Sequence, residues 1–547
     1  MPQADVIFHN GKVITVDARD TIAEAVAVTG NKISAVGADA QVMRLKGDAT
    51  RVVDLADRAL LPGFNDAHTH LELTSLGLGL AVSCHTPPHE SIEDILTTLR
   101  EHASGVPKGE WIIAQGSLFQ DMRLREKRYP DHRDLDRVSV DHPILFKTSY
   151  HMVVVNSKVL EIAGITADTP DPQGGIIERD ASGQPTGRMK DMYHRLPVPM
   201  PDYEAVKDAI KRTGCDRFLA NGVTTVQEKS ETVAGLGAMR ELIDTGEMPL
   251  RLSVYIHVPG TLPLDRVLNG DVGDFEFDDE WFRLGGVKLF IDGGFSARAA
   301  ALQDPYEGHP DITGKLGYED RELRRIVRRV HRAGLQLRMH TNGDRAINQL
   351  LDAFETVFGI PAGVGDDSSF RHRAEHIGNV LLRDDLTISR LASAKVLPVP
   401  NPAFIYSVAE FLPPYLGPER THPSFRFRTL LDAGFRVPGS SDCTGTDPWL
   451  VNPMFGIWCL VNRRTYSGGL LEPEEKVSVG EAIRIYTYNS AYAEFQEEVK
   501  GSIEEGKLAD LVVLERDPLT TRAEELKDIR VDQTWVDGKR VFSRDAA

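Results

Sequence analysis

The stretch Leu61-Pro62-Gly63-Phe64-Asn65-Asp66-Ala67-His68-Thr69-His70 decides the reading of this chain. Residues two apart along a strand share a face. A strand here therefore aims the imidazoles of His68 and His70 at one point, as a pair of metal ligands requires. Alone the pair says little, because two such histidines are more often solvated or packed. The rest of the chain gives it weight. Strand-like runs downstream each close on a side chain able to bind a metal: Lys288 in GGVKLFIDGG, His340 ending LQLRMH, His376 in RAEHIG and Asp442 after VPGSS. In a barrel of parallel strands the side chains at the C-terminal strand ends meet at the mouth, where catalysis takes place. The six residues then read as a binuclear metal set.

The chain around them alternates. Apolar β-rich runs (222–226, 250–256, 286–291, 335–340, 373–377, 396–400 and 435–440) are followed by helical stretches such as 320–333, with Leu323, Ile326 and Val330 on one face, and 344–357, opened by Asp344. Repeated βα units with near-continuous apolar strands predict a parallel sheet covered by helices. Eight such units make a (β/α)8 TIM barrel, so the expected fold class is α/β. Residues 71–215 exceed one unit and read as an insertion overhanging the mouth, with strands at 111–115 and 144–147 and a hairpin over 174–188 turning at Ser182-Gly183. Both chain ends read as β-hairpins: 6–8 into 13–16 through Asn10-Gly11, 23–28 into 33–36 through Gly30-Asn31, and 534–536 into 540–542 through Asp537-Gly538. Joined, they form a small β-sandwich of residues 1–60 and 500–547, leaving 61–499 to the barrel.

Composition bounds the rest. The 547 residues are 41% apolar and 26% charged, ordinary for a globular chain. Sixty-three basic against 81 acidic residues give a net charge of −18, which argues against nucleic-acid or anionic-membrane partners. No apolar run is long enough to span a bilayer, and the first residues, MPQADVIFHNGKVITVD, lack the plan of a signal peptide. Cys84, Cys215, Cys443 and Cys459 are scattered, with no CxxC pair. A cytoplasmic protein acting on a small molecule is expected, with a homodimer as the default assembly.

The sequence resembles the amidohydrolase superfamily, in particular its YtcJ-like branch (amidohydrolase family 3), which includes N-substituted formamide deformylases. The resemblance rests on Gly63-Phe64-Asn65-Asp66-Ala67-His68-Thr69-His70, on 154–160 (VVNSKVL), on 288–298, on 340–345, on Asp442 and on 500–511 (KGSIEEGKLADL). Cys443 and Phe495 stand where that branch usually has small residues. The resemblance implies hydrolysis of a linear amide C–N bond, in an N-acyl or N-formyl amine, by metal-activated hydroxide. His68, His70 and Asp442 would hold one metal, and His340 and His376 a second. Zinc suits such ligands, although ligand type alone also admits other divalent ions, and one or two ions fit the set. Lys288 has three readings: a CO2-derived carbamate bridging the metals, as the resemblance implies; a bare lysine beside one metal; or a structural pair with Asp292.

Asp442 is the expected proton shuttle. His151 is a candidate oxyanion stabiliser or a packed histidine. Arg298 could grip a substrate carboxylate or pair with a nearby acid. Asp344 could orient His340 or cap a helix. Glu72 and Glu228 read as structural. Phe295, Phe404, Tyr406 and Trp458 could line a pocket or the core. The rival functions are deamination by the same scaffold and a chain that has lost catalysis. The resemblance would have a deaminase place an acid three residues after His340, where this chain has Gly343; a scaffold predicts missing ligands, yet all six are present.

Overall fold

A computed structural model describes residues 3–148, 152–172, 175–190, 192–359 and 371–546. At its centre seven strands lie side by side in chain order, all parallel: Phe64–Thr69, Val223–Lys229, Arg251–His257, Phe282–Phe290, Gln336–His340, Arg373–Glu375 and Leu397–Val399. Alternation from strand to helix keeps each connection on the outer face, as parallel pairing demands. Helices Val233–Asp244, Asp320–Arg332, Asp344–Phe358 and Asp385–Ser393 fill these connections. Asp320–Arg332 buries Leu323, Ile326, Val327 and Val330, the stripe expected from a 3.6-residue period. Each such side chain contributes about 1.5–3 kcal/mol on leaving water.

The 435–440 run forms no assigned strand. Its continuation still lies along Phe64–Thr69: Ala67 N donates to Gly439 O at 2.8 Å and Asp442 N to His68 O at 2.7 Å. Pro438 has no N–H, and Ser441 N donates to Asp66 Oδ1 at 3.0 Å rather than to a neighbouring carbonyl, so the ladder is interrupted.

Residues 82–190 build a separate six-stranded sheet containing Ile112–Gln115, Ile144–Lys147, Met152–Val155 and the hairpin Ile176–Arg179 with Pro185–Lys190. The hairpin turns at Ser182-Gly183, where Asp180 accepts from Ser182 N; Gly174, the first residue of the predicted hairpin, lies outside the described residues. This sheet is fastened to the loop after Asp442. Arg123 and Asp447 form a fully buried ion pair at 3.0 Å, and Arg123 also donates to Ser407 O.

The chain ends form two further sheets. One orders Lys32–Gly37, Ala25–Thr29, Ala4–His9 and Lys46–Asp54; the other orders Lys539–Ser543, Val531–Val536, Leu511–Leu514, Ala59–Pro62, Lys12–Ile14 and Ile22–Ala23. The second joins both ends by pairing Leu511–Leu514 with Ala59–Pro62. Phe8, Val26, Leu60, Leu511 and Trp535, from both sheets, share one apolar cluster. The Gly30-Asn31 and Asp537-Gly538 hairpins are present. The Asn10-Gly11 hairpin is not. Ala4–His9 pairs with Ala25–Thr29 instead, and the chain crosses at Asn10-Gly11 into the other sheet. Close packing explains the glycine: a Cβ at Gly11 would meet Leu55 Cδ1 at 2.4 Å. Among the described residues no helix is long and apolar enough to cross a membrane.

Candidate metal centre

The C-terminal ends of the parallel strands converge. His68 and His70 leave the Phe64–Thr69 strand, Lys288 lies in Phe282–Phe290, His340 ends its strand, His376 follows Arg373–Glu375, and Asp442 follows the segment beside His68. His68, His376 and Asp442 offer ligand atoms within 4.8 Å of one another. Asp442 Oδ1 lies 3.2 Å from His70 Nε2 and 3.5 Å from His68 Nε2. Lys288 Nζ is 3.1 Å from His68 Nε2. The His340 ring stands edge-on to His376, with centroids 4.5 Å apart. The six predicted ligands thus occupy one place. His376 and Asp442 hold φ at 74° and 48°, left-handed values uncommon outside glycine. Such backbone costs about 1–3 kcal/mol per residue and persists where its surroundings over-determine it.

Four residues that the sequence reading did not single out set the ring orientations. Glu375 Oε2 takes His68 Nδ1 at 2.6 Å, turning Nε2 toward Asp442. Glu231 Oε1 does the same for His70 Nδ1 at 3.1 Å. Asn401 Oδ1 meets His376 Nδ1 at 2.8 Å, and Asn342 Nδ2 meets His340 Nε2 at 2.9 Å. Partners of this kind fix tautomer and direction. Glu375 is in turn held by Arg338 Nε at 3.1 Å and Arg373 Nε at 2.9 Å, all of them fully buried.

These contacts set the charges. Burial pushes the Glu375 carboxyl up, but Arg373, His68 and Arg338 hold it well below the usual carboxylate range. Burial, joined by Lys288, keeps His68 well below its ordinary value and therefore neutral. Burial pulls the Lys288 ammonium down to about 7, with Arg338 and Lys229 adding to the effect and Glu375 and Asp442 opposing it. Burial would raise Asp442, but His68, His70 and His376 hold it far below its usual value, as an anion. Imidazoles around a carboxylate form a donor set that suits a divalent cation.

Several expectations need correction. Asp292 accepts from Ala301 N, Asn342 N and Gly343 N, at 2.9, 2.9 and 2.7 Å, whereas Lys288 turns to His68; the structural pair of the two is not formed. Asp344 neither orients His340 nor caps its helix. Gly343 is the N-cap, and Asp344 Oδ1 accepts from Gln303 N at 2.8 Å. Arg298 lies 4.9 Å over the Tyr415 ring, and its buried Nε has no partner among the described residues. Glu228 takes Leu71 N and Glu72 takes Thr232 N, structural roles as expected. Phe295 and Phe404 join an aromatic cluster with Phe119 and Tyr415, while Trp458 is core, its indole donating to Glu524 O at 3.1 Å. Cys443 is buried, which pushes its thiol up to about 12. Phe495 adopts φ 63°, which accounts for a preference for glycine at that position, with Arg371 4.8 Å over its ring. His151 lies outside the described residues.

Known proteins share this plan. The model of the amidohydrolase family matches residues 51–542. The N-substituted formamide deformylase of Arthrobacter pascens is 32% identical, covering 99% of this chain and 98% of its own. The putative amidohydrolase YtcJ of Bacillus subtilis (strain 168) is 28% identical, covering 98% and 99%. A crystal structure of an uncharacterized metal-dependent hydrolase from Pyrococcus furiosus superimposes with a TM-score of 0.71 at 25% identity, over 94% of this chain and all of the other. The chain therefore belongs to the amidohydrolase family and is a metal-dependent hydrolase.

Proposed function

We propose that this chain cleaves the C–N bond of a linear N-acyl or N-formyl amine at a centre of one or two divalent ions, zinc foremost. His68, His70, Lys288, His340, His376 and Asp442 would hold them. The observation that carries this is the meeting of His68, His376 and Asp442 within 4.8 Å, with His70 on the same carboxylate. When bound, a divalent ion acidifies water and polarises a carbonyl. The chain supplies the remainder. Glu375 and Glu231 present the Nε2 atoms of His68 and His70. Asp442, an anion, accepts the proton of the attacking water at a carboxylate oxygen and returns it to the departing nitrogen. Lys288 as a neutral amine would add CO2 and release a proton, giving a carbamate that would supply oxygen ligands to the metal; its drop to about 7 supports this. His151 is assigned to the oxyanion. Arg298, on the aromatic wall, is assigned to the substrate.

Within the same reading, residues 437–442 take an eighth place that closes the sheet into a barrel over 61–499, with residues 71–215 inserted. Residues 1–60 and 500–547 form a sandwich, in keeping with their shared apolar cluster. Four free thiols suit a reducing cytoplasm.

Deamination fits less well. At position 343 a Cβ would meet Ala301 O at 1.9 Å, so no acid can stand three residues after His340. Elemental analysis beside a panel of N-acyl amines, N-acyl amino acids and cyclic amides tests the proposal. Bound metal with carboxylate release from linear amides is expected. Ammonia release, or a cyclic amide leading the panel, would overturn it.

A further inference from the structure

The four histidines of the centre are not prepared alike. His68 and His70 direct Nδ1 to carboxylates, Glu375 at 2.6 Å and Glu231 at 3.1 Å. An ionised carboxylate only accepts, so the proton sits on Nδ1 and a bare Nε2 is left for an ion. His376 reaches the same state through an amide. Asn401 Oδ1 takes His376 Nδ1 and Asn379 Nδ2, each at 2.8 Å, so it is the amide oxygen that faces the ring. His340 differs. Asn342 Nδ2 lies 3.1 Å from Gly293 O and 2.9 Å from His340 Nε2. A carbonyl only accepts, so the NH2 group stands between the two, and its second hydrogen goes to Nε2. The Nε2 lone pair is thereby taken, and the ring proton belongs on Nδ1. Nε2 also comes within 3.4 Å of Gly293 O, but bonding there needs a proton on Nε2, facing the amide hydrogens 2.9 Å away.

Each way of binding an ion at His340 therefore carries a cost that the other three histidines lack. Through Nε2, the bond from Asn342 must break. Through Nδ1, the proton must move to Nε2, against the NH2 group; turning the amide over sets Oδ1 against Gly293 O instead. The backbone gives little relief, because Asn342 N and Gly343 N are both held by Asp292, at 2.9 and 2.7 Å. We infer that Asn342 makes the two metal positions unequal: the ion of His68, His70 and Asp442 binds first and tightly, and the ion that needs His340 binds weakly and exchanges. Asn342 is then a positioning residue that acts through His340. This rests on the metal-centre reading above and deepens it.

The experiment titrates zinc into the metal-stripped full chain against a chromophoric chelator, with native mass spectrometry counting the ions bound. Wild type should take up a first ion about 10–100-fold more tightly than a second, the scale on which partners of metal-binding histidines act. Asn342→Ala removes the NH2 group, and Asn342→Asp replaces it with an acceptor for a proton on Nε2. Both should tighten the second ion and leave the first unchanged, narrowing the gap about tenfold or more, with the Asp variant gaining most. A residue that only held the loop together would give the opposite, a weaker second ion. Two variants guard against one that does not fold, and the wild-type gap is read without either. Two ions of equal affinity in wild type, a gap that both variants leave unchanged, or a second ion weakened by both overturns the inference. No substrate enters the titration. If the gap depends on Asn342 yet no amide is cleaved, the amide reading falls and this inference stands; if amides are cleaved by a centre of two equal ions, this inference falls alone.

Discussion

Replacing Glu375 by Gln tests how the centre is built. The Glu375 carboxylate receives His68 Nδ1 at 2.6 Å on one oxygen and two fully buried guanidinium groups, Arg338 and Arg373, on the other. Glutamine keeps the shape but removes the charge, with two effects. The arginines lose their counter-ion in a place water cannot reach, and breaking such a pair costs about 3–5 kcal/mol of folding stability. His68 loses the acceptor that turns Nε2 inward, and losing such a partner weakens metal binding by about 10–100-fold, or about 1.4–2.7 kcal/mol. The two effects separate in measurement. Thermal melts of metal-stripped protein read the first, and chelator-competition titration of zinc at neutral pH reads the second. Glu375→Gln should lose in both. A variant that is less stable but binds metal as tightly as wild type would show that Glu375 merely neutralises the arginines, and the tautomer argument would be refuted.

Asp442→Asn should leave the melting curve nearly unchanged while lowering turnover by roughly 100-fold or more, the scale of a lost proton-transfer group; retained activity in a steady-state assay contradicts the shuttle. Arg123→Ala should free the insertion, because it strands buried Asp447, at a cost of about 3–5 kcal/mol; hydrogen exchange should rise around residues 84–86, 120–123 and 444–447, and uniform exchange across the chain would contradict this. Partial burial would raise Asp278, but Trp281 N, the Arg240 guanidinium, Phe282 N and Glu280 N hold it at about 2, below its ordinary 3.8. Its contribution to stability is therefore present above pH 3.8 and lost as pH falls through about 2. The gap in urea midpoint between wild type and Asp278→Asn should narrow from pH 6 to pH 3, and a widening gap rejects the assignment.

The six candidate ligands were legible because four of them lie in or just after strand-like runs, and two-residue spacing set His68 and His70 on one face. The partners that aim them were not. Glu375 immediately precedes His376, so it reads as one more charge at a strand end, and only the fold places it under His68. Glu231 meets His70 from another strand's loop, and no periodicity connects such distant positions. The parallel strands were readable from their apolar runs, with ends shifted by a few residues, as for 286–291, which begins at Phe282. The Asn10-Gly11 signal misled because the dipeptide permits left-handed backbone without naming the partner strand. Asn10 does adopt φ 53°, yet burial of Leu55 against Gly11 sends the chain across to the other sheet.

The pairing of Leu511–Leu514 with Ala59–Pro62 bears on biosynthesis. The segment carrying His68 and His70 continues directly from Ala59–Pro62, and Gly63 N donates to Asp510 O at 2.8 Å. While the chain is still being translated, the edge of Ala59–Pro62 away from Lys12–Ile14 has nothing to pair with until Leu511–Leu514 leaves the ribosome. His68 and His70 are thus translated early and anchored late, once Leu511–Leu514 has emerged to pair with the strand that precedes them.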